Sequence, residues 1–125
     1  MKLLAGGLTL ALSLAAQAPS YPTPKGTPTE NGLAGFAKIL CSAVFVSGRE
    51  PADAAANSAY FFMPRAEQNQ VTYVVDRDAR VVHASFGGIT RDAKLYGDQG
   101  CIIQNPDSPG IHFTPVPVTT TLPAA

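Results

Sequence analysis

Leu33-Ala34-Gly35-Phe36-Ala37-Lys38-Ile39-Leu40-Cys41-Ser42-Ala43-Val44-Phe45-Val46-Ser47-Gly48 is the one long stretch that combines helical periodicity, a stop signal and a cysteine. Leu33, Phe36, Ala37, Leu40, Cys41 and Val44 recur at the three- and four-residue spacing that lines one face of an α-helix. Asn31 before the run and Gly48 after it are suitable caps. The stripe turns Cys41 toward a core. The only other cysteine is Cys101, and in an exported chain an even pair of this kind is expected as a disulfide rather than as two free thiols. Cys41–Cys101 should therefore staple the helix to a later part of the chain. Closing so long a loop stabilises a fold by about 4 kcal/mol on the chain-entropy account.

Upstream of the helix, Met1-Lys2 and the uncharged run Leu3 to Ala16 have the basic start and apolar middle of a secretory signal, and are short for a bilayer span. A signal peptide over 1–18 is expected. The product would be periplasmic or secreted, with no stable membrane span after cleavage. Cuts after Ala18 and after Ser20 stay open, because Pro19 suits neither site. Residues 19–30 carry Pro19, Pro22, Pro24 and Pro28 with little apolar bulk, so they read as an extended linker.

Downstream, Arg49-Glu50-Pro51-Ala52-Asp53 reads as a new helix start, with proline at the first helical position, an acid in the first turn and alanines to Ala59. Pro64 ends it at the latest. A helix whose buried face is mostly alanine adds little area, so the first helix should supply most of this layer's burial. From Gln70 the apolar period becomes two. Val71, Tyr73 and Val75 share one face, as do Val82, Ala84 and Phe86, and Asp76-Arg77-Asp78-Ala79 reads as the turn between them. Pairing Val75 with Arg80 places Tyr73 opposite Val82 and Val71 opposite Ala84, which keeps both apolar sets on one side. Gly87-Gly88 breaks the second strand, Thr90 to Tyr96 forms a third, and Gly97 to Gly100 turns the chain into Cys101-Ile102-Ile103. The expected fold class is α+β: two N-terminal helices packed on a small antiparallel sheet of three to four strands, with one disulfide. The domain runs over 31–104, and 105–125 is a proline- and threonine-rich irregular tail or linker.

The composition excludes some function classes. With 9 basic and 9 acidic residues in 125, no field attracts nucleic acid. No catalytic, cofactor or metal-binding residue emerges. His83-Ala84-Ser85-Phe86-Gly87 is close to the G-x-S-x-G nucleophile motif, but histidine stands at the first glycine and Gly87-Gly88-Ile89-Thr90 does not open a helix. His83 and Ser85, two apart on a strand, share its outer face as a solvated pair. No Ser-x-x-Lys occurs. His83, His112, Asp76, Asp78, Asp92, Asp98 and Asp107 are too scattered for a ligand set, and Asp76-x-Asp78 reads as a turn stabilised by side-chain hydrogen bonds. Cys41 on a buried stripe reads as a structural half-cystine, not a thiolate nucleophile.

Lys38 to Pro51, Val74-Val75-Asp76 and Arg91 to Cys101 carry a family resemblance. Over roughly residues 33–117 the chain resembles the N-terminal region of exported β-lactamase-related serine hydrolases similar to 6-aminohexanoate-dimer hydrolase. Its most specific parts are Leu40-Cys41-Ser42 with Phe45-Val46-Ser47-Gly48-Arg49, and Gly97-x-x-Gly100-Cys101. The resemblance implies a downstream catalytic domain with a Ser-x-x-Lys nucleophile and a later tyrosine, none of which has a counterpart here, so no catalytic residue carries over. It implies a non-catalytic leading segment of an amide- or ester-cleaving enzyme, partnered with that domain. A stand-alone exported binding or structural module is the alternative, and a small hydrolase with its own site is the third reading. As a docking segment the chain would leave Phe61, Phe62, Met63, Ile102, Ile103, Ile111 and Phe113 uncovered. As a closed module it would fold them back.

Overall fold

The structure, a computed structural model, describes Pro22 and residues 25–119. The expected signal peptide, most of residues 19–24 and the last residues, 120–125, lie outside the described residues. The fold is α+β, with the expected disulfide formed between Cys41 and Cys101 at a Cα–Cα distance of 6.0 Å.

Helix α1 spans Pro28–Cys41. It starts three residues before the expected cap at Asn31, and so takes in the end of the expected linker. Thr27 is the N-cap: its hydroxyl accepts from the Glu30 amide at 3.2 Å, and the Glu30 carboxylate accepts from the Thr27 amide at 2.6 Å. Pro28 occupies the first helical position, where its missing N–H costs nothing. Beyond Cys41 the helix widens into a π-helical turn, Ser42–Val46, closed by the Ser47 amide on the Ser42 carbonyl. Gly48 then takes the left-handed conformation (φ +67°), which lets the Arg49 amide bond back to the Ala43 carbonyl at 2.9 Å and ends the helix where the sequence indicated.

Helix α2, Pro51–Asn57, is short and is held at its start by the Arg49–Asp53 ion pair (2.7 Å). A 3-10 turn, Ala59–Phe62, carries the chain back over α1. Gly32 and Gly35 permit this: a Cβ at Gly32 would lie 2.7 Å from the Phe62 carbonyl oxygen, and one at Gly35 2.6 Å from the Phe62 ring. Two glycines in a helix interior are thus explained by close backbone approach.

Four strands follow, β1 (Thr72–Asp76), β2 (Val81–Phe86), β3 (Ile89–Leu95) and β4 (Cys101–Ile103), in an antiparallel meander of order β1-β2-β3-β4. The first hairpin is not in the expected register. Val75 pairs with Val82 and Tyr73 with Ala84, with Asp76 opposite Val81. Arg80 belongs to the loop, not the strand. The Asp76 carboxylate accepts from the Ala79 amide at 2.8 Å, Arg80 turns left-handed (φ +55°), and its carbonyl takes the Leu95 amide of β3. Because the slip is two residues, each side chain keeps its expected face. Gly87 and Gly88, both at positive φ, make the two-residue turn that pairs Phe86 with Ile89.

Helix α1 covers β2 and β3 and reaches β4, while α2 packs on α1 and on the 3-10 turn. Leu33, Phe36, Ala37, Leu40 and Cys41 are buried against Val82, Ala84, Ala93 and Cys101. Ala84 and Ala93 let the helix sit close to the sheet. The Phe36 ring meets Tyr60 edge-on at 5.2 Å and Tyr73 at 5.8 Å, so one aromatic side chain joins helix, 3-10 turn and sheet.

Candidate functional site

Three places hold enough polar chemistry to be considered. The first is the outer face of the sheet, away from α1. The pairing His83↔Asp92 and Ser85↔Thr90 puts four polar side chains side by side on the two central strands. His83 Nδ1 lies 2.8 Å from Asp92 Oδ1, and Ser85 Oγ lies 2.8 Å from Thr90 Oγ1. The Asp–His contact is the kind that orients a catalytic imidazole, but Ser85 is engaged by Thr90 and not by His83. The amides of Ala84, Ser85 and Phe86 are committed to the β ladders and do not form an oxyanion hole. Gly87-Gly88 leads from strand to strand rather than from strand to helix, which removes the strained turn that exposes a nucleophilic serine. The four residues are cross-strand pairs on the outer face of the sheet, the face that the spacing indicated for His83 and Ser85.

The second place was not visible in the sequence. Arg91 lies on the helix-facing side of β3, opposite Ala84, and its guanidinium is paired with the Glu30 carboxylate at the start of α1. Glu30 is held below the usual carboxylate range, first by the Thr27 amide and hydroxyl and then by Arg91. Beside this pair a half-open cleft of about 500 Å³ runs between the first turn of α1 and residues 103–107, with Lys25, Asn31, Gln104 and Asp107 among its lining. A smaller hollow of about 220 Å³ adjoins it on the other side of Arg91. Neither is lined by serine, cysteine or histidine. The positive end of α1 faces this cleft, but the chain's own Glu30 already serves it, and Gln104 is bonded to Ile102, Tyr96 and Gly110. This is a satisfied polar joint that fastens the helix start to β3.

The third place is the staple. Lys38 Nζ donates to the Cys101 carbonyl at 2.8 Å, so a lysine on α1 and the disulfide one turn later hold the same edge residue. The Leu40-Cys41-Ser42 and Gly100-Cys101 blocks, distant in sequence, meet here. Gly100 is at positive φ (+75°), and its carbonyl takes the Tyr96 amide, which aims β4 back along β3. Both cysteines are buried, and the role of the site is mechanical.

Asp76, Asp78, Asp92, Asp98, Asp107, His83 and His112 are not brought together: among the described residues no cluster of three such groups could hold a metal ion. Asp98 instead ties down the tail, accepting from the Val118 amide at 2.8 Å, while Gln99 donates to the Val116 carbonyl. Val118 first and Gln99 second hold the Asp98 carboxyl below its ordinary range. Of the apolar residues that a docking segment would leave uncovered and a closed module would fold back, Met63 is folded back. It is buried in the core beside Gly32, because the backbone becomes extended after the 3-10 turn and carries the side chain under α1. Ile102 and Ile111 are half-buried, and Phe62, Ile103 and Phe113 are exposed. Phe61 is 87% exposed, and Val116 and Val118, which the sequence did not single out, are 71% and 69% exposed.

Among the described residues no helix is long and apolar enough to cross a membrane. Comparison of the chain with protein-family models, with curated proteins and with solved structures finds no match.

Proposed function

We propose that the chain is the non-catalytic leading module of an exported, periplasmic serine hydrolase of the β-lactamase-related kind, and that it packs against the catalytic domain without taking part in the bond cleavage. The observation that carries this reading is the C-terminal segment. Residues 111–118 run without regular structure, pinned by Asp98 and Gln99, and leave Phe113, Val116 and Val118 facing solvent. Apolar side chains held out by an anchored backbone suit an interface better than a free tail. The resemblance supplies the partner, and among the described residues Ser85 is bonded to Thr90 and not to the nearby His83, which fits a segment that does no chemistry.

The test is the native protein in its source cells. An antibody to this module should recognise an oxidised, exported species several times larger than 13.0 kDa that also reacts with a serine-directed fluorophosphonate probe. A single unlabelled species of module size would overturn the reading.

One observation favours the second reading, a self-sufficient exported module. Leu33, Phe36, Leu40 and Val82 are fully buried without help from another domain, so the core is closed. A purified chain that melts cooperatively and binds no hydrophobic dye would support this reading over the first.

A further inference from the structure

The two edges of the sheet differ. In an antiparallel sheet each residue directs both its N–H and its C=O to one side of the strand, and the side alternates along the chain. The bond from the Leu95 amide to the Arg80 carbonyl fixes that alternation here. Arg80, Val82 and Ala84 face β3, so Val81, His83 and Ser85 face β1 and bond Asp76, Val74 and Thr72. It follows that Tyr73 and Val75 direct their backbone groups away from the sheet. No group among the described residues bonds them.

The opposite edge is guarded. The same alternation turns Cys101 and Ile103 outward on β4, but that strand is three residues long and Lys38 Nζ occupies the Cys101 carbonyl. Strand β1 is longer and less protected: Thr72-Tyr73-Val74-Val75-Asp76 contains no lysine, proline or bulge, and its one charge, Asp76, is turned into the hairpin loop, where it accepts from the Ala79 amide. Its Val74 stands 64% exposed on the outer face.

We propose that β1 is a self-association edge, and that its occupant is β1 of a second copy of this chain, antiparallel and centred on Val74. The register is set by the strand itself. A two-fold axis through Val74 places Tyr73 opposite Val75 of the second copy and Val75 opposite its Tyr73. Every outward N–H and C=O of these residues then finds a partner. The two Val74 side chains meet across the axis at a close, non-hydrogen-bonded position, where exposed apolar area is covered. Asp76 falls opposite Thr72, so no like charges are apposed, and the chain carries no net charge to oppose association. The axis is perpendicular to the sheet, so both α1 helices stay on one face of a continuous eight-stranded sheet. An interface of one short strand pair belongs to the weak, small-area class.

The test is sedimentation of the full chain, disulfide intact, together with residue-resolved amide exchange. The expected result is a monomer–dimer equilibrium in roughly the 0.1–1 mM range. Exchange at the Tyr73 and Val75 amides should slow as concentration rises, while the Val74 amide, already bonded to His83, stays slow throughout. Val74→Lys apposes two lysines on the axis and should weaken association at least about tenfold without lowering the melting temperature of the monomer. Three results would overturn the proposal: a monomer up to about 1 mM, a dimer that Val74→Lys leaves intact, or a dimer whose Tyr73 and Val75 amides still exchange fast. A monomer that protects these two amides at every concentration would place a segment of the same chain on the edge, and would overturn it too.

Discussion

The two faces of the sheet are built from the same strands and obey different rules. On the inner face Val82, Ala84 and Ala93 are buried under α1, and Arg91, the charged residue in that row, is paired with Glu30. On the outer face Val74, His83, Asp92, Ser85 and Thr90 meet water, and the polar ones meet each other. Residue types that suggest chemistry therefore lie where the fold depends on them least. The side chains that decide whether the chain folds are, apart from the Cys41–Cys101 pair, apolar.

The contrast predicts a graded set of effects. Phe36→Ala removes the ring that joins Tyr60, Tyr73 and the helix, and should cost about 3–5 kcal/mol, as large-to-small changes at filled core sites do. Chemical denaturation of a module this small would show little folded baseline left. Replacing both Cys41 and Cys101 by alanine should cost about 2–5 kcal/mol, read as a lower denaturant midpoint with an unchanged far-ultraviolet spectrum at zero denaturant. An equal loss on changing His83 and Asp92 to alanine would erase the distinction between the faces.

Gly32→Ala sharpens it at a helix position where alanine ordinarily gains about 1 kcal/mol. Here the added methyl would meet a backbone carbonyl oxygen at 2.7 Å, so destabilisation by about 1–3 kcal/mol is expected instead. A rise in melting temperature would show that the 3-10 turn does not sit on the helix as described.

Acid below the ordinary aspartate range should act on the tail before the core. Asp98 is held below its ordinary range in the folded chain, chiefly by the Val118 amide, so its contribution is fully present above the ordinary aspartate range. It is lost as pH falls through the depressed folded value. The Val118 amide should lose protection relative to its intrinsic exchange rate over that window, while the amides of Ala37 to Cys41, far from the Glu30 cap, stay protected. Uniform loosening of both would contradict the separation of tail from core.

Much of this was legible in the sequence because it is periodic. The stripe from Leu33 to Val44, the alternation of Tyr73 and Val75, and the lone cysteine pair each obey a rule that needs no knowledge of the rest of the fold. The start of α1 was equally written there: Thr27-Pro28-Thr29-Glu30 has the capping threonine, the first-turn proline and the glutamate three residues on. Four nearby prolines made it look like linker. The hairpin register was not legible, since the choice between Arg80 and Val81 as the first paired residue rests on an aspartate side chain bond and on the fit of β3. Nor were the Arg91–Glu30 pair and the contact of Lys38 with Cys101, because each joins positions that only the tertiary fold brings together. On the outer face the two-residue spacing of His83 and Ser85 puts them side by side, and the structure adds their partners, Asp92 and Thr90.

Ser85 is bonded to Thr90 and not to His83, a pairing that does not activate a serine. Incubating the oxidised chain with a fluorophosphonate probe and weighing the intact protein tests this directly, since an activated serine displaces fluoride from phosphorus and is phosphonylated, and an ordinary one is not. An unchanged mass is expected. A stoichiometric adduct that maps to Ser85 and disappears in His83→Ala would contradict it.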